Sequence, residues 1–223
     1  MSRVIVFDVN ETLLDVGALD PLFQRVFGDV SLRRAWFNQM LQSALVATVT
    51  DAYRDFGAIG LAALEMTAAR RGVTLSDDDR QSLRDGMRSL PAHPEVATSL
   101  GRLRDAGMTL ATLTNSTAEV GEAQLASASL RDLFTHVFSA DEVKRLKPAP
   151  EPYRMAAERL GVQIGDVRLV AAHAWDVAGA MRAGCLAAFV ARPGQVLDPL
   201  APEPDIVGAD LREVADRILA MDR

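Results

Sequence analysis

From Glu95 onward the sequence alternates between short apolar runs and amphipathic segments, and this alternation constrains the fold most strongly. The apolar runs are too short for helices, so they predict strands that are buried on both faces. Helical segments between successive strands act as crossovers, which make the strands parallel. We predict strands ending at 113 and over 137–138, 167–172 and 186–190, and helices over 95–106, 118–130, 153–160, 177–183 and 211–221, with a Pro-rich loop over 193–204.

The N-terminal part of the chain has a different organisation. Residues 4–7, Val-Ile-Val-Phe, predict one more buried strand that ends at Asp8, and helical spacing then recurs over 21–27, 32–49, 61–71 and 76–90. Ser76 followed by three aspartates favours a helix start through capping and the helix dipole. We therefore predict a doubly wound parallel α/β core formed by residues 1–15 and 93–223, with an all-helical domain inserted over residues 16–92.

Composition excludes several classes of protein. Of the 223 residues, 49% are hydrophobic and 24% are charged, which is typical of a folded protein. The net charge of −6, without a basic run, argues against a nucleic-acid partner. No apolar run is long enough for a membrane span, and the N-terminus lacks a signal-peptide pattern, so we expect a cytoplasmic protein. The single cysteine, Cys185, is expected to be a buried thiol.

Polar side chains follow the predicted strands at the point where each strand ends. Asp8 follows the first strand, Thr114 and Asn115 follow the second, and His173 and Asp176 follow the strand over 167–172; Lys147 lies in a loop. The carboxyl ends of parallel strands lie at one edge of the sheet, where ligands bind in such folds. We therefore expect these side chains to converge on one site.

Four motifs in this order resemble those of the haloacid dehalogenase superfamily. The run from Asp8 to Asp15 (DVNETLLD) resembles the first motif, and Thr114–Asn115 and Lys147–Pro148 resemble the second and third. The fourth is matched by Ala174-Trp175-Asp176 and the glycines after it. The resemblance implies a Rossmann-like core, an aspartate nucleophile and a helical cap domain, which corresponds to residues 16–92.

Two positions favour the L-2-haloacid dehalogenase branch over phosphatases. Phosphatases of the superfamily usually carry an acid two residues after the nucleophile, where this chain has Asn10, and a further carboxylate for Mg²⁺ where it has Ala172. A halide leaves without a proton, and Lys147 can balance a carboxylate substrate. The resemblance thus implies cofactor-free and metal-free hydrolysis of short 2-haloalkanoic acids through an aspartyl ester.

The resemblance also implies a role for each matched residue. Asp8 is the nucleophile, Lys147 keeps it ionised, and Asp176 positions or deprotonates the hydrolytic water. Thr12 and Asn115 would orient Asp8 or hold the substrate carboxylate. The remaining expected substrate contacts are Asn10, Thr114, Tyr153, which the dehalogenases place near the nucleophile, and Trp175, which would line an apolar pocket. For three of these residues a structural role stays open: Thr12 as a turn former, Tyr153 as a helix residue and Trp175 as core.

The chain departs from the dehalogenase pattern after Trp36. The branch usually has an arginine there that holds the departing halide, whereas this chain has Phe37 and then Asn38. Loss of such a contact lowers the rate by a factor on the order of 10²–10³, by analogy with the loss of a hydrogen-bond donor to an oxyanion. Two alternatives follow. Another cap arginine reaches the site (Arg33, Arg34 or Arg54), or an apolar or amide-lined pocket that includes Asn38 suits a different leaving group.

A second departure lies at His173, where the dehalogenases often have asparagine. An imidazole that titrates near neutral pH can act as the general base for ester hydrolysis, and a structural role is the alternative. Two other functions also stay open, a Mg²⁺-dependent phosphatase and a catalytically weak binding protein on the same scaffold. Family members with such caps dimerise, so a homodimer is possible.

Overall fold

The computed structural model describes residues 4–221, which form a six-stranded parallel sheet with helices on both faces. The strands are β1 (Val4–Phe7), β2 (Thr109–Thr114), β3 (His136–Ser139), β4 (Val167–Ala171), β5 (Leu186–Val190) and β6 (Ile206–Gly208). The helices are α1 (Asp20–Phe27), α2 (Leu32–Val49), α3 (Phe56–Arg71), α4 (Asp77–Arg88), α5 (Val96–Asp105), α6 (Ala118–Ser127), α7 (Pro150–Arg159), α8 (Ala174–Ala183) and α9 (Leu211–Met221). The strand order is β3-β2-β1-β4-β5-β6, which confirms the predicted doubly wound α/β class.

The central position of β1 explains why its sequence is apolar throughout. It pairs in parallel with β2 on one side and β4 on the other, so neither edge is exposed. Successive side chains point to opposite faces of a strand, and Ile5 and Phe7 join one hydrophobic cluster while Val4 and Val6 join the other. Because both faces of β1 are buried, a polar side chain can reach a ligand only at the carboxyl end of the strand.

The helices α1 to α4 follow β1 and form the helical cap. The helices α2 and α3 pack closely, because Trp36 donates its indole N–H to the carbonyl of Gly60 at 2.8 Å. A Cβ atom on Gly60 would lie 3.1 Å from Met40 Cε, so the glycine permits this approach. Ser76 and Asp79 form a capping box at the start of α4, as its sequence predicts. The boundaries of the cap at residues 16 and 92 stay a prediction.

Several element ends differ from the predicted ones for local reasons. The helix α3 begins at Phe56 rather than at residue 61, because the Asp55 carboxylate caps it by accepting from the Ala58 N–H. The helix α6 ends at Ser127 rather than at residue 130, since Ser129 adopts a left-handed conformation with φ of 57°. The helices α7 and α8 each begin three residues earlier than predicted. The strand β6 was missed, because it has only three residues after the Pro-rich loop.

Two further predictions concern single features. Cys185 is buried, and burial raises the pKa of its thiol to about 12, which makes it an unreactive side chain at neutral pH. Within residues 4–221, no helix combines the length and the apolar character that crossing a bilayer requires.

Candidate active site

Asp8 lies at the carboxyl end of the central strand, and both of its carboxylate oxygens are engaged. The Thr12 hydroxyl donates to Oδ2 at 2.6 Å, and the Lys147 ammonium donates to Oδ1 at 2.9 Å. The Thr12 oxygen in turn accepts from the N–H of Ala172, just after β4, at 2.9 Å. Asp8 is only 5% exposed, so this network holds its carboxylate in one orientation. Thr12 is fully buried and positions Asp8; it does not line the cavity described below.

Lys147 joins the two buried carboxylates of the site. Its ammonium donates to Asp8 Oδ1, to Asp176 Oδ2 at 2.6 Å and to the carbonyl of Leu113 at 2.8 Å, which uses all three of its protons. Burial disfavours the charged ammonium, but Asp176 and Asp8 outweigh burial and raise the pKa of Lys147. Lys147 is therefore a fixed cation.

Asp8 is ionised despite its burial. Burial alone would raise the pKa of this carboxyl group, but the charge of Lys147 and the nearby His173 lower it well below its usual range. Asp176 differs, because burial and the charge of Asp8 raise its pKa against the pull of Lys147. The pKa values of the two carboxyl groups are thus shifted in opposite directions, and the surroundings of Asp8 favour its anion.

Asn115 and Gly179 hold the lysine loop in place. The Asn115 side chain accepts from the Lys147 N–H at 2.8 Å and donates to the Lys147 carbonyl at 3.4 Å. A Cβ atom on Gly179 would lie 2.5 Å from Pro148 Cβ and 2.9 Å from Tyr153 Oη. Only glycine fits there, which gives a physical reason for the glycine after the fourth motif.

Tyr153 contacts Asp176 and not the nucleophile. Its hydroxyl donates to Asp176 Oδ1 at 2.5 Å, the side chain is 1% exposed, and it does not line the cavity beside Asp8. The expectation that Tyr153 binds substrate is therefore corrected, because the packing of α7 against α8 directs its hydroxyl to Asp176. Tyr153 positions the second carboxylate.

His173 bridges two carboxylates and lies between two aromatic rings. Its Nδ1 is 3.4 Å from Asp8 Oδ2, and its Nε2 is 2.9 Å from Glu11 Oε2. The ring stacks on Phe37 at 5.9 Å and on Trp175 at 5.3 Å between centroids. Burial disfavours the imidazolium, but Asp8 and Glu11 overcome it and raise the pKa of His173 to about 9. His173 is thus protonated at neutral pH, which corrects the expectation that it titrates near neutrality.

Glu11 is a site residue that the sequence analysis missed. Its backbone has a φ of 62°, in the left-handed region that non-glycine residues rarely adopt, and its side chain also accepts from Gln195 at 3.0 Å. The position of Glu11 three residues after Asp8 is the only signal in the sequence. Its partner His173 lies 162 residues further on, and only the fold brings the two together.

A small cavity, here called the Asp8 cavity, separates Asp8 from the cap. Its volume is about 10 Å³, room for about one water molecule. The floor comes from the core and the roof from α2 and α3, with lining residues Asp8, Asn10, Phe37, Leu41, Phe56, Thr114, Asn115, His173 and Trp175. The structure therefore brings most of the predicted site residues together around one closed space.

The other side chains of the Asp8 cavity differ in how they are held. Asn10 Oδ1 accepts from the Gln124 amide at 2.9 Å, and the Thr114 hydroxyl accepts from the N–H of Ser116. The buried indole N–H of Trp175 has no hydrogen-bond partner among the described residues. It is therefore a donor available to a bound anion.

Asn38 and the three candidate arginines lie outside the Asp8 cavity. Asn38 faces a second cavity, here called the arginine vestibule, whose lining includes Glu11, Arg33, Arg34, Phe37, Asn38 and Arg192. Asn38 thus lines the vestibule and not the Asp8 cavity, and its contact with a substrate stays a prediction. Arg54 is exposed and donates to the Tyr53 carbonyl.

The residues present do not suit a magnesium ion. Magnesium requires an octahedral shell of oxygen ligands, whereas the Lys147 ammonium already joins Asp8 and Asp176, and Asn10 accepts from Gln124. Within residues 4–221, no group of three or more His, Cys, Asp or Glu side chains is placed to hold a metal ion.

Comparison with known proteins agrees with this fold. Residues 2–184 match the sequence model of the haloacid dehalogenase-like hydrolases, which covers most of the chain. The chain therefore belongs to this family of hydrolases.

Within the family, the chain is similar to (S)-2-haloacid dehalogenases. It is 32% identical to (S)-2-haloacid dehalogenase 1 of Pseudomonas sp. (strain CBS-3) over 80% of this chain and 79% of the relative. It is 30% identical to the (S)-2-haloacid dehalogenase of Pseudomonas sp. (strain YL) over 95% and 92%. The structure of L-2-haloacid dehalogenase from Xanthobacter autotrophicus with chloropropionic acid covalently bound superimposes with a TM-score of 0.92 at 25% identity, covering 99% of this chain and 100% of that one.

Proposed function

We propose that the protein hydrolyses the carbon–halogen bond of short (S)-2-haloalkanoic acids through an ester on Asp8. The observation that carries the proposal is an ionised, oriented carboxylate, held by Lys147 and Thr12 in a closed cavity. The full-length similarity to (S)-2-haloacid dehalogenases supports the substrate class. Asn10 cannot donate a proton to a leaving group, and a halide needs none.

In the first step an Asp8 oxygen attacks C2 of the substrate. A C–O bond forms, the C–halogen bond breaks, and the halide leaves with the bonding electrons. Lys147 keeps Asp8 ionised, and the Asp8 cavity excludes bulk water that would solvate the nucleophile. We assign the contacts with the substrate to Asn10, Thr114, Asn115 and Trp175.

The departing halide needs a donor because Phe37 replaces the arginine of the branch. Trp175, whose buried indole N–H has no partner among the described residues, and the imidazolium of His173 both line the Asp8 cavity. Together they supply a hydrogen-bond donor and a positive charge near the developing anion. In this assignment two core residues, and not another cap arginine, take the place of the missing arginine.

In the second step water attacks the ester carbon of Asp8, and the state of His173 has to change. While Asp8 is an anion, His173 is protonated and cannot accept a proton. Ester formation removes one of the two negative charges beside the ring, so its pKa falls and Nδ1 releases its proton to water, while Nε2–H still donates to Glu11. The free Nδ1 then takes one proton of the hydrolytic water as the water oxygen bonds to Asp8 Cγ. The bond from Cγ to the ester oxygen breaks, the second proton of that water passes to this oxygen, and the 2-hydroxy acid leaves while Asp8 is again a carboxylate.

Asp176 assists the second step from the other side. Lys147 and Tyr153 each bind one of its oxygens, so its carboxyl group is fixed close to Asp8. We assign Asp176 the role of orienting water, with Tyr153 as its positioning residue.

Halide release from a panel of short 2-haloacids, with and without chelator, tests the proposed function. We expect turnover of the (S)-enantiomers and unchanged rates with excess EDTA, because the residues around Asp8 do not suit magnesium. Loss of activity with EDTA and recovery with Mg²⁺ would favour the phosphatase alternative. Binding of a 2-haloacid in a titration, with no halide released, would favour the binding-protein alternative.

The remaining partner and location hypotheses need separate measurements. A homodimer stays a prediction, and Val46 and Val49 of α2 are exposed apolar side chains that an interface would bury. The solution mass from light scattering decides it. The absence of a nucleic-acid partner and a cytoplasmic location also stay predictions, which a DNA- and RNA-binding assay and cell fractionation test.

A further inference from the structure

The arginine vestibule is much larger than the cavity in which the proposed chemistry occurs. Its volume is about 440 Å³, compared with about 10 Å³ for the Asp8 cavity. A 2-haloacid does not fit a space for about one water molecule, so the substrate reaches Asp8 only when a wall of this small cavity moves. The question is which wall moves.

Phe37 is a wall common to both cavities. Its ring lines the arginine vestibule on one side and the Asp8 cavity on the other, where it stacks on His173. Displacement of the phenyl ring breaks its stack on the His173 imidazolium and its packing on Trp36, but no hydrogen bond or ion pair. The hydrogen-bonded pair of Glu11 and His173 also spans the two cavities, and its displacement would break an ion pair. Phe37 is therefore the wall that moves at the lower cost.

The charges of the vestibule suit an anion. Arg33 is paired with Asp20 at 2.5 Å, and Arg192 is paired with Glu95 at 2.6 Å. Arg34 has no hydrogen bond or ion pair among the residues that the structure describes, and it is exposed. Its guanidinium lies at the core loop, since a Cβ atom on Gly194 would be 2.7 Å from Arg34 Nη2. The Arg34 guanidinium is thus a cation without an ion-pair partner among the described residues, at the contact between cap and core.

The two carboxylates of the vestibule differ in their partners. Glu11 is bound by His173 and lies 3.9 Å from Arg33, whereas Asp15 accepts from the N–H of Gly17 and has no ion pair among residues 4–221. His93, which also lines the space, contacts the Glu11 carbonyl and has a lowered pKa through burial and Arg192. Arg34 and Asp15 are therefore the lining charges without an ion-pair partner in the described part of the chain, and Arg34 is the one of the two that attracts an anion.

A competing route starts from an apolar cavity of about 390 Å³ between the cap and α6. It shares Phe56 with the Asp8 cavity, and its lining is largely apolar, with Trp36, Met40 and Ala58 among its residues. Arg84 and Arg88 also line this cavity, with Arg88 paired to Glu119 at 2.7 Å, but the lining as a whole offers a carboxylate fewer polar partners than that of the arginine vestibule, so the anion loses more of its hydration there. The polar route costs an anion less.

We propose that the arginine vestibule is the port through which carboxylate substrates reach Asp8 and halide leaves, with Arg34 attracting the anion and Phe37 as the gate. The proposal rests on the proposed function. It adds a residue that raises the rate of substrate capture and takes no part in the chemistry.

Charge reversal at Arg34 tests the attraction. We expect Arg34→Glu to lower kcat/KM about 10-fold at an ionic strength of about 0.01 M, with little change in kcat, because electrostatic steering raises association by 10-fold or more. At about 1 M the Debye length is about 3 Å, so the difference should disappear. Arg34→Lys should restore the wild-type value. The matched control is Arg182→Glu in the last turn of α8, at the opposite edge of the sheet.

Blocking each cavity tests the route. The chain has one cysteine, the buried Cys185, so a methanethiosulfonate reagent labels an engineered surface cysteine selectively. We expect labelled Asn38→Cys, in the vestibule, to lose at least about 10-fold in kcat/KM, and a reductant to restore it. Labelled Ala58→Cys, in the apolar cavity, should keep its activity.

The outcomes separate the port from the proposed function. A wild-type protein that releases no halide refutes the proposed function. An active wild type in which Arg34→Glu behaves like Arg182→Glu refutes the port alone. Blockade at Ala58→Cys that equals or exceeds that at Asn38→Cys also refutes it and assigns access to the apolar cavity.

Discussion

Asp8→Asn is expected to abolish halide release while leaving the fold intact. An amide of the same shape is not ionised and is a far poorer nucleophile, and removal of a nucleophile costs about 10⁴-fold or more in kcat. The folded state should survive, because Lys147 keeps Asp176 and the Leu113 carbonyl as partners. Halide release and thermal unfolding of the purified variant measure the two expectations.

The control for Asp8→Asn is an aspartate that lies away from the site. Asp166 precedes β4 at its amino end, the opposite edge of the sheet, so Asp166→Asn should keep wild-type turnover. Intact-protein mass must show that the introduced amide has not deamidated back to aspartate. Near-normal release by a folded, non-deamidated variant would disprove the role of Asp8.

His173→Ala should release about one equivalent of halide per protein and then stall. Attack by Asp8 needs an ionised carboxylate and no general base, so the first step continues, although more slowly because the imidazolium no longer stabilises the departing halide. Hydrolysis of the ester needs a base, and general bases contribute about 10²–10⁴-fold, so this step becomes rate-limiting. The protein should gain the mass of the acyl fragment, and proteolysis should locate the fragment on Asp8.

Two further variants make this result specific. His173→Gln keeps a polar side chain between Phe37 and Trp175 and should also trap the ester, which excludes simple loss of packing. His136→Ala changes an exposed histidine at the amino end of β3 and should turn over normally. If His173→Ala has a normal steady state, or is slow without a trapped ester, the role of His173 is structural. Asp176 would then activate the water.

The fold follows from the sequence where local patterns decide it. The ends of α2, β5 and α9 agree with the predicted bounds, because apolar periodicity continues to those residues. Elements that depend on a single capping contact or on neighbours distant in sequence were misplaced. Asp55 extends α3 by one hydrogen bond, and β6 exists only because β5 offers a paired edge.

The site residues likewise separate into those whose position the sequence predicts and those whose position depends on distant neighbours. The carboxyl edge of the sheet collects Asp8, Asn115 and Asp176 by topology alone, so their convergence is predictable from strand ends. The partners of His173 are not, since its raised pKa depends on Asp8 and on Glu11 in a left-handed turn, and its ring also stacks on the cap residue Phe37. The exclusion of Asn38 from the cavity likewise depends on how the cap sits on the core, which periodicity does not encode.

The roof of the Asp8 cavity has an evolutionary consequence. Phe37 and Leu41 lie one turn apart on α2 and Phe56 begins α3, whereas the ionised groups come from loops that follow the strands. Selection can therefore alter the range of acids accepted through a few codons without disturbing the charge network beneath. A library confined to these three codons should yield variants with shifted chain-length preference that keep the thermal stability of the parent, which makes the roof the natural starting point for directed evolution.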